Sequence, residues 1–108
     1  MEKQMLTSEM ILNKLEENIS TLKEFEVESI GIFGSHARNE AREDSDIDMV
    51  VRFKEGKKTF QRFMGLKQFI EELFLKEVDL VSEENVKPEI LPYMRKDVKY
   101  VKGLQNHI

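Results

Sequence analysis

Asp46 and Asp48 stand two positions apart in Asp46-Ile47-Asp48-Met49-Val50-Val51, a run with the alternation of a β-strand. Successive strand side chains point to opposite faces, so both carboxylates project from one side. Their Cβ atoms then lie roughly 6–7 Å apart, and the oxygens can converge further. Like charges this close repel, and one tends to protonate unless a cation sits between them. Such a pair can hold two metal ions about 3.5–4 Å apart, an arrangement suited to displacement at phosphorus. Mg²⁺ fits the donor set, because it takes oxygens from a few carboxylates and from substrate phosphates.

Gly34-Ser35, separated from Asp46 by ten residues, supplies a complementary part. Glycine at a strand end lets the backbone turn sharply and approach a ligand closely. The amides that follow favour an anion, and Ser35 adds a small hydroxyl donor. Phosphates would then be held by Gly34 and Ser35 on one side and by metal on the other. Asp79, in Val78-Asp79-Leu80-Val81, is an acidic residue among apolar strand residues, costly there without a ligand or partner. If its strand lies beside that of Asp46 and Asp48, three carboxylates share one site. Asp79 could then bind metal and take the proton of an attacking hydroxyl.

Helices and strands must position these residues. Thr7 or Ser8 caps a first helix, whose Ile11, Leu15, Ile19, Leu22 and Phe25 recur as one buried stripe. A strand over 29–33 ends at Gly34, and a short polar helix over 35–42 follows. The second strand is 46–53, with Ile47, Met49, Val51 and Phe53 on the face opposite the aspartates. Thr59 caps a helix that has Phe60, Phe63, Met64, Leu66, Ile70, Leu73 and Phe74 near its buried side. A third strand at 77–81 leads to a helix over 85–95 with Pro88 in its first turn. Residues 97–101 form a marginal last strand, and 103–108 a loose tail containing His107. The alternation predicts an α/β (α+β) fold: a small mixed sheet of three or four strands packed with helices.

The chain's 108 residues suit a single domain over 1–108. With 40% apolar and 35% charged residues it has the composition of an ordinary globular protein. The net charge of −4 offers no general attraction to a long nucleic acid. The absence of cysteine excludes disulfides and thiolate metal sites. No stretch approaches the roughly 20 apolar residues of a membrane span, and 1–10 lacks a signal-peptide core. A cytoplasmic protein is expected.

The string Gly34-Ser35-His36-Ala37-Arg38 through Asp44-Ser45-Asp46-Ile47-Asp48-Met49-Val50-Val51 resembles the signature of the DNA polymerase β-like nucleotidyltransferase superfamily. Within it, the chain is most similar to the minimal nucleotidyltransferases, the MntA-type antitoxins of HEPN/MNT toxin–antitoxin pairs. The resemblance implies that Gly34 and Ser35 bind a triphosphate, that Asp46 and Asp48 bind metal, and that Asp79 is the third carboxylate. Arg38 falls on an arginine frequent in that branch, a candidate for the phosphates or for orienting the loop. Where the branch usually has glycine, this chain has Asn39, the next most tolerant of a left-handed backbone. His36 occupies a variable position and receives no role.

The implied activity is Mg²⁺-dependent transfer of AMP from ATP to a protein hydroxyl. The implied acceptor is a tyrosine of a partner HEPN ribonuclease toxin, which the modification silences. Two other readings accompany it: a non-catalytic module that neutralises its partner by docking, and nucleotidyl transfer to a small molecule. Plainer roles exist for single residues. Arg38 and Arg42 could pair with Glu40, Glu43 or Asp44, Ser45 could be a turn residue, and Tyr93 and Tyr100 could pack with surface hydroxyls.

Overall fold

Thr7 opens helix α1 (Ser8–Glu17), its hydroxyl accepting the Met10 N–H at 3.1 Å. The structure, a computed structural model, describes residues 6–104. The single stripe expected for the first helix is interrupted at Asn18, which leaves helical geometry (φ −110°, ψ 26°). Its Nδ2 donates to the Lys14 carbonyl at 2.9 Å, a local bond of the kind by which asparagine competes with a helix. A separate helix α2 (Ile19–Glu24) follows. Ile11, Leu15 and Leu22 are buried as expected, while Ile19 and Phe25 pack only partly against the core.

Strand β1 (Val27–Phe33) runs into helix α3 (Gly34–Ala37). That helix is a single turn rather than the expected 35–42, because Asn39 adopts a left-handed backbone (φ 58°). Strand β2 (Ile47–Phe53) pairs antiparallel with β1, placing Asp48 opposite Phe33. Helix α4 (Phe60–Phe74) begins at Thr59, whose hydroxyl accepts the Arg62 N–H at 3.0 Å. Leu66 and Ile70 are buried, but Phe60 is 78% exposed and Met64 also faces outward, against expectation. At 3.6 residues per turn, Phe60 and Met64 stand well round the helix from Leu66 and Ile70.

Helix α4 is the crossover to β3 (Val78–Ser82), which lies parallel to β2. The expected helix over 85–95 is replaced by a 3-10 turn (Glu83–Asn85) and a later helix α5 (Leu91–Asp97). Pro92 explains the shift, for a helix through it would need the N–H that proline lacks; instead Pro92 sits in the first turn. Strand β4 (Lys99–Tyr100) pairs antiparallel with β1, giving the order β3-β2-β1-β4. The mixed four-stranded sheet with helices is the α+β arrangement expected.

Ile30, Ile32, Met49, Val51 and Leu80 form the inner face of the sheet, packed with Leu15, Leu22, Leu66 and Ile70 from the helices. The other face carries Phe33, Asp48 and Asp79. The expected loose tail at 103–108 is corrected in its described part. Leu104 is buried, and Gly103 is so close to the Ile19 side chain that a Cβ would meet Cδ1 at 2.8 Å. Residues 105–108, with His107, lie outside the described residues. Among the described residues no helix is long and apolar enough to cross a membrane.

Candidate active site

The site begins where β1 ends. Gly34 has φ 73°, and a Cβ added there would fall 2.3 Å from Oδ2 of Asp48. Only a residue without a side chain lets the turn and the carboxylate share this space. Asp48 is the second residue of β2, and its register partner across the parallel pairing is Asp79. Paired positions point to one face, so the two carboxylates stand side by side, and the condition the sequence left open, that the Asp79 strand lies beside β2, is met. Asp46 lies just before β2, and the neighbouring Ile47 N–H donates to the Glu77 carbonyl at 3.1 Å. This bond ties the start of β2 to the segment entering β3.

Among the described residues none of these three carboxylates forms an ion pair. Burial pushes the Asp48 carboxyl above its ordinary pKa, and the charges of Asp79 and Asp46 push it further; Arg38 opposes them. Among the described residues no set of three His, Asp or Glu side chains is already arranged to hold a metal ion. The donors nevertheless suit a hard divalent cation: oxygen only, mutually repelling, and open to a ligand beside a glycine.

The loop that carries Asp46 is pinned at several points. The Asn39 Oδ1 accepts the Ser8 N–H at 2.8 Å, and Nδ2 donates to the Ser8 hydroxyl at 3.3 Å. Lys99 Nζ donates to that same hydroxyl at 3.0 Å. Asparagine thus fills the usual glycine position and also clamps the loop to the start of α1. The Ser45 hydroxyl accepts the Arg42 N–H at 2.9 Å, which makes Ser45 a turn residue. From the end of α4, Lys76 Nζ donates to the Glu43 carbonyl at 2.5 Å.

Arg38 Nε donates to Glu40 at 2.9 Å, the ion pair weighed from sequence, and Nη1 donates to Asp97 of α5 at 2.7 Å. These bonds hold its pKa above the ordinary value. The structure therefore shows Arg38 joining α3 to α5, while its charge still reaches Asp48.

His36 is the residue that sequence reasoning missed. It is only 2% exposed, and its Nδ1 has no hydrogen-bond partner among the described residues. Burial and the Lys76 charge lower its pKa, against a hydrogen bond with the Asp46 backbone and the Asp46 charge. The imidazole, its charged form disfavoured, thus lies between the Gly34-Ser35 turn and the start of β2. A histidine in a one-turn helix gives no periodic signal that could have revealed this.

Residues 12–102 match the family described as the nucleotidyltransferase domain. A protein adenylyltransferase, MntA, of Thermococcus cleftensis is 40% identical over 98 residues, covering 90% of this chain and 98% of its own. A solved structure provisionally described as a minimal nucleotidyltransferase superposes with TM-score 0.75 at 32% identity, covering 90% of this chain and 98% of that one. The complex of a tri-AMPylated Shewanella oneidensis HEPN toxin with its MNT antitoxin gives TM-score 0.62 at 20% identity, covering 87% and 73%. This last likeness is one of fold. Coverage of nearly the whole chain, together with the glycine turn and paired aspartates, establishes that the chain belongs to the nucleotidyltransferase domain family and is a nucleotidyltransferase.

Proposed function

We propose that this single domain transfers AMP from ATP to a tyrosine hydroxyl of a partner HEPN-domain toxin, and so acts as a cytoplasmic antitoxin. The observation that carries the reading is the meeting of Gly34, Asp48 and Asp79 at one end of the sheet. Gly34 and Ser35 bind the triphosphate through backbone amides and a hydroxyl. Asp46, Asp48 and Asp79 would hold Mg²⁺, which when bound neutralises phosphate charge and favours departure of pyrophosphate. Asp79 takes the proton from the acceptor oxygen as that oxygen meets the α-phosphorus. Arg38 steadies the turn and offers its positive charge to the phosphates. The similarity to a protein adenylyltransferase supports a protein acceptor, and the fold shared with an antitoxin bound to an AMPylated toxin supports the partner class.

The test is incubation with ATP labelled at the α-phosphate, Mg²⁺ and a HEPN-domain protein encoded beside this chain. Label should reach a tyrosine of that protein and should vanish with Asp46→Ala or Asp48→Ala. Neutralisation of the toxin that survives both substitutions, with no label transferred, would replace catalysis by docking.

A further inference from the structure

Asp97 stands where its own helix does not favour it. It is the last residue of α5, and the carbonyl end of a helix dipole attracts cations and repels a carboxylate. Its partner is 59 residues away in sequence: Arg38 Nη1 donates to Asp97 Oδ2 at 2.7 Å. Arg38 Nε donates to Glu40 Oε1 at 2.9 Å, so carboxylates from two segments hold two of the three guanidinium nitrogens. A guanidinium is planar, with five N–H donors in a fixed fork, so bonds at Nε and Nη1 together set its plane. Among the described residues Nη2 carries no bond, and its two N–H groups remain for a further acceptor.

This grip is built into the turn that begins the site. The Arg38 N–H donates to the Gly34 carbonyl at 3.2 Å, and the Glu40 N–H to the Ser35 carbonyl at 2.8 Å. The Arg38 charge reaches Asp48. Asp97 is itself fixed from the sheet, because Val98 and Lys99 after it lie against Gly31 of β1. A Cβ on Gly31 would meet the Lys99 carbonyl at 2.8 Å and Val98 Cγ2 at 3.0 Å. Lys99 Nζ donates to the Ser8 hydroxyl, to which Asn39 Nδ2 also donates. The segment 97–99 thus meets the residues after Ser35 at two points, directly at Arg38 and through Ser8 at Asn39.

We infer that Asp97 is a positioning residue for the triphosphate: it fixes the Arg38 guanidinium so that Nη2 is left to bond a phosphate oxygen. The inference rests on the reading that Arg38 offers its charge to the phosphates. A free arginine loses rotamer freedom when it closes on a ligand, whereas one already gripped has lost that freedom in the fold. Charge alone argues the other way, since a carboxylate near a triphosphate repels it. The two effects have opposite signs, so substitution of Asp97 separates them. Stability does not account for the pair: the Arg38 and Asp97 side chains are 44% and 32% exposed, and ion pairs this open to water contribute little.

The test reads binding without turnover. Calorimetry measures affinity for a non-hydrolysable ATP analogue with Mg²⁺ in the parent, Asp97→Ala, Asp97→Asn, Arg38→Met and the variant carrying both Asp97→Ala and Arg38→Met. Arg38→Met should weaken binding about tenfold, the scale of one lost charge-assisted hydrogen bond, and Asp97→Ala about fivefold. Asp97→Asn keeps an oxygen that accepts from Nη1 and should recover most of the loss. In the double variant Asp97→Ala should add nothing, because its effect passes through Arg38. Melting temperatures of the Asp97 variants should stay near that of the parent. Tighter binding by Asp97→Ala and Asp97→Asn would make Asp97 a repelling charge and overturn the inference. A loss as large without Arg38 as with it, or one matched by a fall in melting temperature, would also overturn it. Parental affinity in Asp97→Ala beside weakened Arg38→Met would overturn the inference and keep Arg38 as a phosphate ligand. Parental affinity in Arg38→Met would sink that reading of Arg38, and the inference with it.

Discussion

The Cβ position of residue 34 and Oδ2 of Asp48 are 2.3 Å apart, so the turn and the carboxylate compete for one volume unless residue 34 is glycine. Gly34→Ala should therefore displace Asp48 as well as strain a backbone at φ 73°. The expected result is a loss of about 2–4 kcal/mol in stability and at least about 100-fold in AMP transfer. Gly56→Ala is the control, with φ 75° and nothing within 4 Å of its Cβ. It should cost about 1–2 kcal/mol and leave transfer intact. Denaturant melts and label transfer on both variants decide the matter, and equal losses of activity would contradict the steric account.

The charged form of Asp48 is disfavoured by burial and by its neighbours Asp79 and Asp46. Its pKa is raised above the ordinary 3.8, so the folded chain binds this proton more tightly than the unfolded one. Stability from this group is thus greatest below that ordinary value, falls as pH rises through the raised value, and stays low above it. Asp48→Asn should melt about 4–8 °C higher than the parent at pH 7, corresponding to roughly 1 kcal/mol, and the gap should close toward pH 4. Adding Mg²⁺ should raise the melting temperature of the parent and not of the variant. A variant less stable than the parent at neutral pH would argue against carboxylate repulsion.

Asn39 combines a left-handed backbone with two bonds to Ser8. Asn39→Gly keeps the first and loses the second, so about 1 kcal/mol should be lost. Asn39→Ala loses both and should cost about 2–3 kcal/mol. Chemical denaturation of the pair measures the difference, and a glycine variant as unstable as the alanine one would put all the weight on the side chain.

Lys76 holds the Glu43 carbonyl, three residues before Asp46. Lys76→Met should change stability by about 1 kcal/mol or less. Transfer should fall about tenfold through kcat, with KM for ATP little changed, if the lysine acts only through its bond to the loop that carries Asp46. Steady-state kinetics tests this, and a rise in KM alone would show that Lys76 meets the phosphates directly.

The placement of the candidate site was legible because strand alternation and glycine geometry act over a few residues. Asp46 lies just before β2 and Asp48 at its head, Gly34 makes its turn, and Asp79 stands in register with Asp48. The helices were less legible, since single residues overrode their periodic patterns. Asn18 divides the first helix through its own side chain, and Pro92 moves the last helix to Leu91–Asp97. The outward turn of Phe60 depends on which side of α4 meets the sheet, a tertiary fact that apolar spacing alone leaves open. The surroundings of His36 and the Arg38–Asp97 bond join distant segments, beyond the reach of any local rule.

The parallel pairing of β2 with β3 also bears on the order in which the chain becomes competent. The β1–β2 hairpin brings Gly34, Asp46 and Asp48 together through nearby sequence, whereas Asp79 arrives only after α4 has docked and closed a long loop. A half-formed molecule would thus possess the glycine turn and two of the carboxylates before the third. The third carboxylate joins the other two only when that parallel pairing is made, so an incompletely folded domain would lack the full acidic cluster.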